Sequence, residues 1–162
     1  MNVALGSAAL LFGLGASVLG AGTLAVGLVK GRPRLLLLGR SYALLAFVGA
    51  LAAFVVMERA LITRDFTVAY VAENGSTKTP ALFNFATLWA ALEGSILLWA
   101  LILTGYLMAM MRKFRHRQTD PLVGWANLTM LVVCIFFFGL MVTVARPFVP
   151  FDPTPGFDGP GP

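Results

Sequence analysis

Four long apolar runs, at about residues 3–29, 35–57, 83–111 and 122–144, limit what this chain can become. Each reaches the roughly 20 residues needed to cross a hydrocarbon core about 30 Å thick. Backbone N–H and C=O groups in lipid have no water to bond, so each run must close its own hydrogen bonds as a helix. The fold class that follows is all-α: a polytopic integral membrane protein of four transmembrane helices, with a short outward-facing segment between helices 2 and 3. Only 12% of the 162 residues are charged, against about 25% in an ordinary soluble domain, so the natural solvent is lipid. The first run lacks a basic leader, is too long for a secretory signal and is followed at once by a second, so it reads as a permanent helix.

The basic residues set the expected orientation. Lys30, Arg32, Arg34 and Arg40 flank the first loop, and Arg112, Lys113, Arg115 and Arg117 fill the loop between the third and fourth runs. Arg59, Arg64, Lys78 and Arg146 are left for the other side. Cytoplasmic loops carry the Lys/Arg excess. A multi-pass protein of the plasma (inner) membrane is therefore expected, with two cytoplasmic basic loops and with both termini and the 58–82 segment outside. The net charge of +5 lies in these loops without the aromatic interleaving that single-strand binding uses, which argues against a nucleic-acid partner. The lone Cys134 excludes an internal disulfide, a CxxC pair and a CxxCH haem attachment.

Within the first run Gly6, Gly13, Gly20 and Gly27 recur every seven residues, with Gly15 and Gly22 beside them. Glycines at that interval stay near one helix face, drifting about 20° per heptad, and a smooth face lets another helix approach closely. At the outer end of the second run, Glu58 and Arg59 read as a helical pair at the water interface. Beyond residue 146 a Pro/Gly-rich outer tail, 147–162, follows the 1–146 membrane region; its prolines preclude a helix, and it reads equally as an extended connector or a disordered end.

The stretch from Phe66 to Trp99 carries the candidate chemistry. Phe66, Val68, Tyr70 and Ala72 alternate as in an extended piece, while Phe66, Ala69, Tyr70 and Glu73 would equally line a short helix, and periodicity leaves both open. Asn74-Gly75 is a turn signal and Pro80 a boundary. The third run then places Glu93, Gly94 and Ser95 inside an apolar segment. At 1.5 Å per residue, a helix starting near Phe83 puts Glu93 about 15 Å along it. An ionisable residue inside a membrane is by default a functional candidate: Glu93 would fix a site or relay protons. The bland alternative is a polar packing contact, with Gly94 and Ser95 allowing close approach. Trp89 suits the outer interface, and Trp99, deeper, is expected to pack. His116, inside a basic loop, reads as solvated. No metal-ligand cluster, nucleophile triad or phosphate-binding glycine loop is present.

Asp65-Phe66-Thr-Val-Ala-Tyr70-Val-Ala-Glu73-Asn74, then Pro80, then Leu88-Trp89 and Glu93-Gly94-Ser95-Ile-Leu-Leu-Trp99 together resemble the N-terminal portion of the CcmF/NrfE family of cytochrome c-type biogenesis haem lyases. That family typically reads D-F-S-V-x-Y-V-A-x-N-S followed by W-G-A-H-E-G-S-L-L-L-W. Order and spacing agree over about 35 residues, and the four-run arrangement with its proline-rich tail agrees over the whole chain. Leu92 stands where the family has histidine and Ala90 where it has its first glycine. The family's Trp-rich W-W-D segment and haem-ligating histidines lie downstream of the matched region, so this chain looks like the front portion of such a protein, truncated or encoded as a separate subunit.

The resemblance implies a membrane component of cytochrome c maturation that helps attach haem covalently to apocytochrome c. It implies haem as cofactor, with ligands outside this chain. The implied partners are the remainder of the haem lyase or its split subunit, a haem chaperone, an apocytochrome-holding membrane protein and apocytochrome c. No catalytic residue is expected here. The family-motif residues Asp65, Phe66, Tyr70, Glu73, Asn74, Trp89, Glu93, Gly94, Ser95 and Trp99 are the candidates for the site. The competing reading is a small subunit of an ion- or proton-translocating complex with Glu93 as coupling carboxylate.

Overall fold

A computed structural model describes residues 1–161, apart from the side chains of residues 81 and 82. Pro162, the end of the expected tail, lies outside the described residues. Four long helices form the bundle: α1 (Asn2–Val29), α2 (Pro33–Ile62), α5 (Leu92–Lys113) and α6 (Pro121–Thr143). All four are long and apolar enough to cross a membrane. Between α2 and α5 lie two short helices, α3 (Ala69–Asn74) and α4 (Ala81–Ala86), and a single 3-10 turn, Thr87–Trp89. Pro33 and Pro121 each open a helix, where the missing N–H costs nothing.

Helix α1 packs along α2 and α6, and α5 packs on α2 and α6. The heptad glycines of α1 account for how closely they sit. A Cβ on Gly6 would enter the Phe148 ring, one on Gly13 the Phe138 ring, and one on Gly20 would meet Tyr42 and Leu131. Gly27 lies against Leu35 and Leu36, so the smooth face is used wholly within this chain. Gly15 and Gly22 face open space. The closest approach is between α1 and α2, where Gly49 sits on the backbone of Gly13. Small residues carry the α2 interface as well: Ala43, Ala46, Ala50, Ala53 and Ala60 are all fully buried.

The second helix runs on past the expected residue 57 to Ile62, and the start of the third departs further from the sequence-based expectation. The third membrane helix begins at Leu92, nine residues after Phe83. Residues 83–89 form the end of α4 and the 3-10 turn, and Ala91 is extended (φ −126°, ψ 168°). The hydrophobicity of 83–91 conceals this break because no proline or glycine marks it. The cause lies elsewhere in the chain, in Tyr70 and Gly94.

The proline-rich tail is neither free nor helical. It folds back over the end of the bundle that holds the chain's N-terminus and α3. Val68 and Pro150 form an antiparallel bridge, with Ala69 N–H on the Val149 carbonyl at 2.9 Å and Phe151 N–H on the Thr67 carbonyl at 2.8 Å. Phe157 packs between Phe66 and Phe151, with centroids at 5.6 and 5.3 Å. Asp158 accepts from the Thr77 N–H and hydroxyl, both at 2.7 Å, and Gly161 N–H reaches the Gly75 carbonyl at 3.2 Å. The 66–74 segment therefore uses both conformations its pattern allows: extended at Val68, where the tail pairs with it, and helical from Ala69.

Candidate functional site

The capped end is organised by Tyr70. Extended backbone at Val68 and the start of α3 aim its side chain inward, where only 3% of the residue stays exposed. Its hydroxyl lies 2.8 Å from both the Thr87 and Leu88 carbonyl oxygens. The Thr87 carbonyl still accepts from the Ala90 N–H at 3.1 Å, but the Leu88 carbonyl loses its helical partner at the break before α5, and the phenol supplies a donor in its place. Burial first, helped by the negative charge of Glu93, pushes the Tyr70 hydroxyl up to about 12, while the Ala91 N–H at its oxygen pulls the other way. It stays a proton donor at physiological pH.

Gly94 and Ser95 complete the joint. A side chain at Gly94 would run into the Leu88 carbonyl oxygen and the Tyr70 hydroxyl, so glycine is required there by a close approach. The Ser95 hydroxyl reaches the Ala91 carbonyl at 2.9 Å and the Trp89 carbonyl at 3.2 Å. The Gly-Ser pair thus secures the break within its own span, besides letting elements pack.

Glu93 falls in the first turn of α5, at one end of the helix rather than about 15 Å along it. A carboxylate there interacts favourably with the helix dipole, typically by about 0.3–1 kcal/mol. It is half-buried and lines a cleft of about 160 Å³ with Tyr70, Glu73, Arg146, Pro147 and Val149. Two carboxylates and a guanidinium thus share one small concavity between α3, the start of α5 and the end of α6. Arg146 holds a left-handed backbone conformation (φ 41°) just past α6. That costs a non-glycine residue about 1 kcal/mol or more.

Asp65 belongs to a different part of this end. It accepts from Asn2 Nδ2 at 2.7 Å and from the Thr67 hydroxyl at 2.6 Å, tying the start of α1 to the loop after α2. Its burial favours the neutral acid, but these hydrogen bonds prevail and hold it below the usual carboxylate value. Phe66 joins the tail's aromatic cluster, and Asn74 Nδ2 caps back onto the Tyr70 carbonyl at 3.0 Å. Trp89 is half-exposed, edge-on to Phe85 at 5.4 Å. Trp99, expected to pack, is 59% exposed on the outer face of α5, because its turn of the helix points away from α2 and α6.

The Glu58–Arg59 pair is also corrected. Arg59 turns to Asn2 Oδ1 at 3.4 Å, while Glu58 points inward, 7% exposed. Arg146 and Asn2 are the residues at this end to which the sequence pattern gave no role, and Glu58, read as an interface residue, is instead buried. An acid four residues from the end of an apolar helix was the available signal for Glu58.

No group of three or more His, Cys, Asp or Glu suited to a metal is present among the described residues. His116 is exposed in the basic loop at the opposite end, beside Arg115. The side chains lining the cleft provide no imidazole or thioether to ligate iron, and the Tyr70 phenol is engaged by backbone carbonyls, so the cleft does not fit a haem iron site.

These features define a polytopic helical membrane protein whose one end is closed by a tail-and-loop cap over an aromatic, acid-bearing cleft. No family model matches the sequence. The fold superposes on a solved cytochrome c haem lyase CcmF with a TM-score of 0.81 and 38% identity, covering 91% of this chain and 25% of that one. Cytochrome c-type biogenesis protein CcmF of Escherichia coli (strain K12) is 34% identical over 122 residues, 75% of this chain and 19% of its own length. NrfE of Haemophilus influenzae is 32% identical over 92 residues, 56% of this chain and 14% of its own length. The chain belongs to the CcmF/NrfE family of cytochrome c-type biogenesis proteins, and it spans about a fifth of the length of the curated relatives it matches.

Proposed function

We propose that this chain supplies a membrane scaffold and part of the non-cytoplasmic working surface of a cytochrome c haem lyase, the machinery that joins haem to apocytochrome c. The observation that carries this reading is the likeness to a solved haem lyase over 91% of the chain, at 38% identity. The basic loops at the opposite end support an outward-facing cap by the charge rule. By the family resemblance, axial ligation and the thioether step fall to groups beyond this chain. The contribution of these residues is positional. Tyr70, Gly94 and Ser95 hold the entry to α5 in one geometry, and Glu73, Glu93 and Arg146 present charge beside it. The partners are the remainder of the haem lyase, a haem chaperone and an apocytochrome-holding membrane protein.

The test is deletion of the coding sequence in its own host, followed by haem staining of membrane c-type cytochromes. Loss of covalent haem, restored by the wild-type chain, supports the reading, and unchanged staining rejects it. Restoration by Glu93→Gln at normal membrane levels would limit Glu93 to its helix-dipole role.

A further inference from the structure

We propose that Glu58 is a proton-binding site, its carboxyl carried as the neutral acid within the capped end of the bundle. Glu58 lies on the last turns of α2 and is 7% exposed, and both of its carboxyl oxygens are sealed from solvent without a hydrogen-bond partner among the described residues. No cation meets it. Arg59 is turned to Asn2, and Arg64 donates to the Thr79 carbonyl at 3.1 Å. The ion pair found among the described residues, Arg117–Asp120, is at the far end.

The other titratable groups around this end do not supply the missing charge. Helix α1 brings only its terminal amine, and neither α4 nor the 3-10 turn carries an ionisable side chain. Helix α3 offers Glu73 and the neutral Tyr70, α5 offers Glu93, and Asp65 is engaged by Asn2 and Thr67. The cations at this end, the Met1 amine, Arg59, Arg64 and Arg146, form no ion pair with Glu58 among the described residues. An unpaired carboxylate kept from water is far costlier than the neutral acid, and binding one proton removes the charge.

Infrared spectra of the full chain in lipid nanodiscs, in water and in deuterium oxide at neutral pH, test this directly. The expected result is a protonated-carboxyl C=O band that shifts on deuteration and is absent from Glu58→Gln. A wild-type spectrum without the protonated band overturns the proposal. If Glu58→Gln does not fold, isotope-labelled glutamate in the wild type reads the same band without a variant. These readouts require no haem and no cytochrome, so they fail or succeed separately from the haem-lyase reading.

Discussion

The Tyr70 hydroxyl and the Leu88 carbonyl oxygen lie 2.8 Å apart, across eighteen residues of sequence. That contact takes the place of a helical hydrogen bond the chain gives up just before α5, whereas the Thr87 carbonyl keeps the Ala90 N–H as partner. Replacing Tyr70 by Phe keeps the ring and leaves the Leu88 carbonyl without its donor. The loss expected for a buried unsatisfied group is about 1–3 kcal/mol. Gly94→Ala should be at least as damaging, because its methyl group competes for the space of the Leu88 oxygen and overpacking costs typically about 1–3 kcal/mol. Thermal unfolding of the purified chain in detergent should rank wild type above Tyr70→Phe and Tyr70→Phe at or above Gly94→Ala. A Gly94→Ala midpoint equal to wild type would mean that the joint is not tight.

The glycines of α1 divide by what they face. Gly49→Ala would drive a methyl group into the Gly13 backbone, and Gly13→Ala would drive one into the Phe138 ring. Backbone cannot swing aside as a side-chain tip can, so Gly49→Ala should separate α1 from α2 and lower the unfolding midpoint more than Gly13→Ala does. Gly15→Ala and Gly22→Ala meet nothing within 4 Å and should be neutral, or stabilising by up to about 1 kcal/mol through helix propensity. Equal effects at Gly49 and Gly15 would contradict the packing described above.

Asp158 ties the tail to the 76–77 turn. The Thr77 N–H first, then the Thr77 hydroxyl, with smaller help from Ser76 and the Lys78 charge, hold its carboxyl below the ordinary value of 3.8. A depressed carboxyl contributes stability above its unfolded value and loses it as pH falls through the folded one. The latch should therefore be closed at neutral pH and open in acid below the usual carboxylate range. Hydrogen exchange at Thr77 should show the transition, and Asp158→Asn should weaken protection at neutral pH while flattening its pH dependence. Protection unchanged by acid would show that the Phe66–Phe151–Phe157 cluster holds the tail alone.

The spans were legible because length and apolarity in lipid leave a helix no competitor. The ends of α1 and α6 fall within a residue of where the apolar runs end. The break at residues 90–91 was not legible. It is imposed by Tyr70, some twenty residues upstream, and nothing between Phe83 and Glu93 signals it. Glu58 was misread for a related reason. Its place in the pattern matches an interface residue, and only the packing of the neighbouring elements seals it. Tyr70, Gly94 and Ser95 stood out through their resemblance to a family pattern, whereas Arg146 gained its place at the cleft only when the tail folded back. Trp99 shows the reverse error. Depth along an apolar helix does not tell which face a residue occupies when all faces are apolar.

Leu92 occupies the position at which the resembling family pattern has histidine. It is the first residue of α5 and 68% exposed, so its side chain leaves the bundle instead of entering the cleft beside Glu93. An imidazole at that point would face whatever covers this surface, with its backbone position unchanged. Leu92→His should therefore leave the unfolding midpoint within about 0.5 kcal/mol of wild type, as surface substitutions usually do. Gly94→Ala, two residues away, is expected to lower it sharply. The same variant can be scored for haem-stained c-type cytochromes in the deletion host. A clear change in staining at equal membrane level would locate a contact of the assembled machinery at this exposed position. A drop in the chain's own stability would instead place the side chain inside, against the geometry of the α5 start.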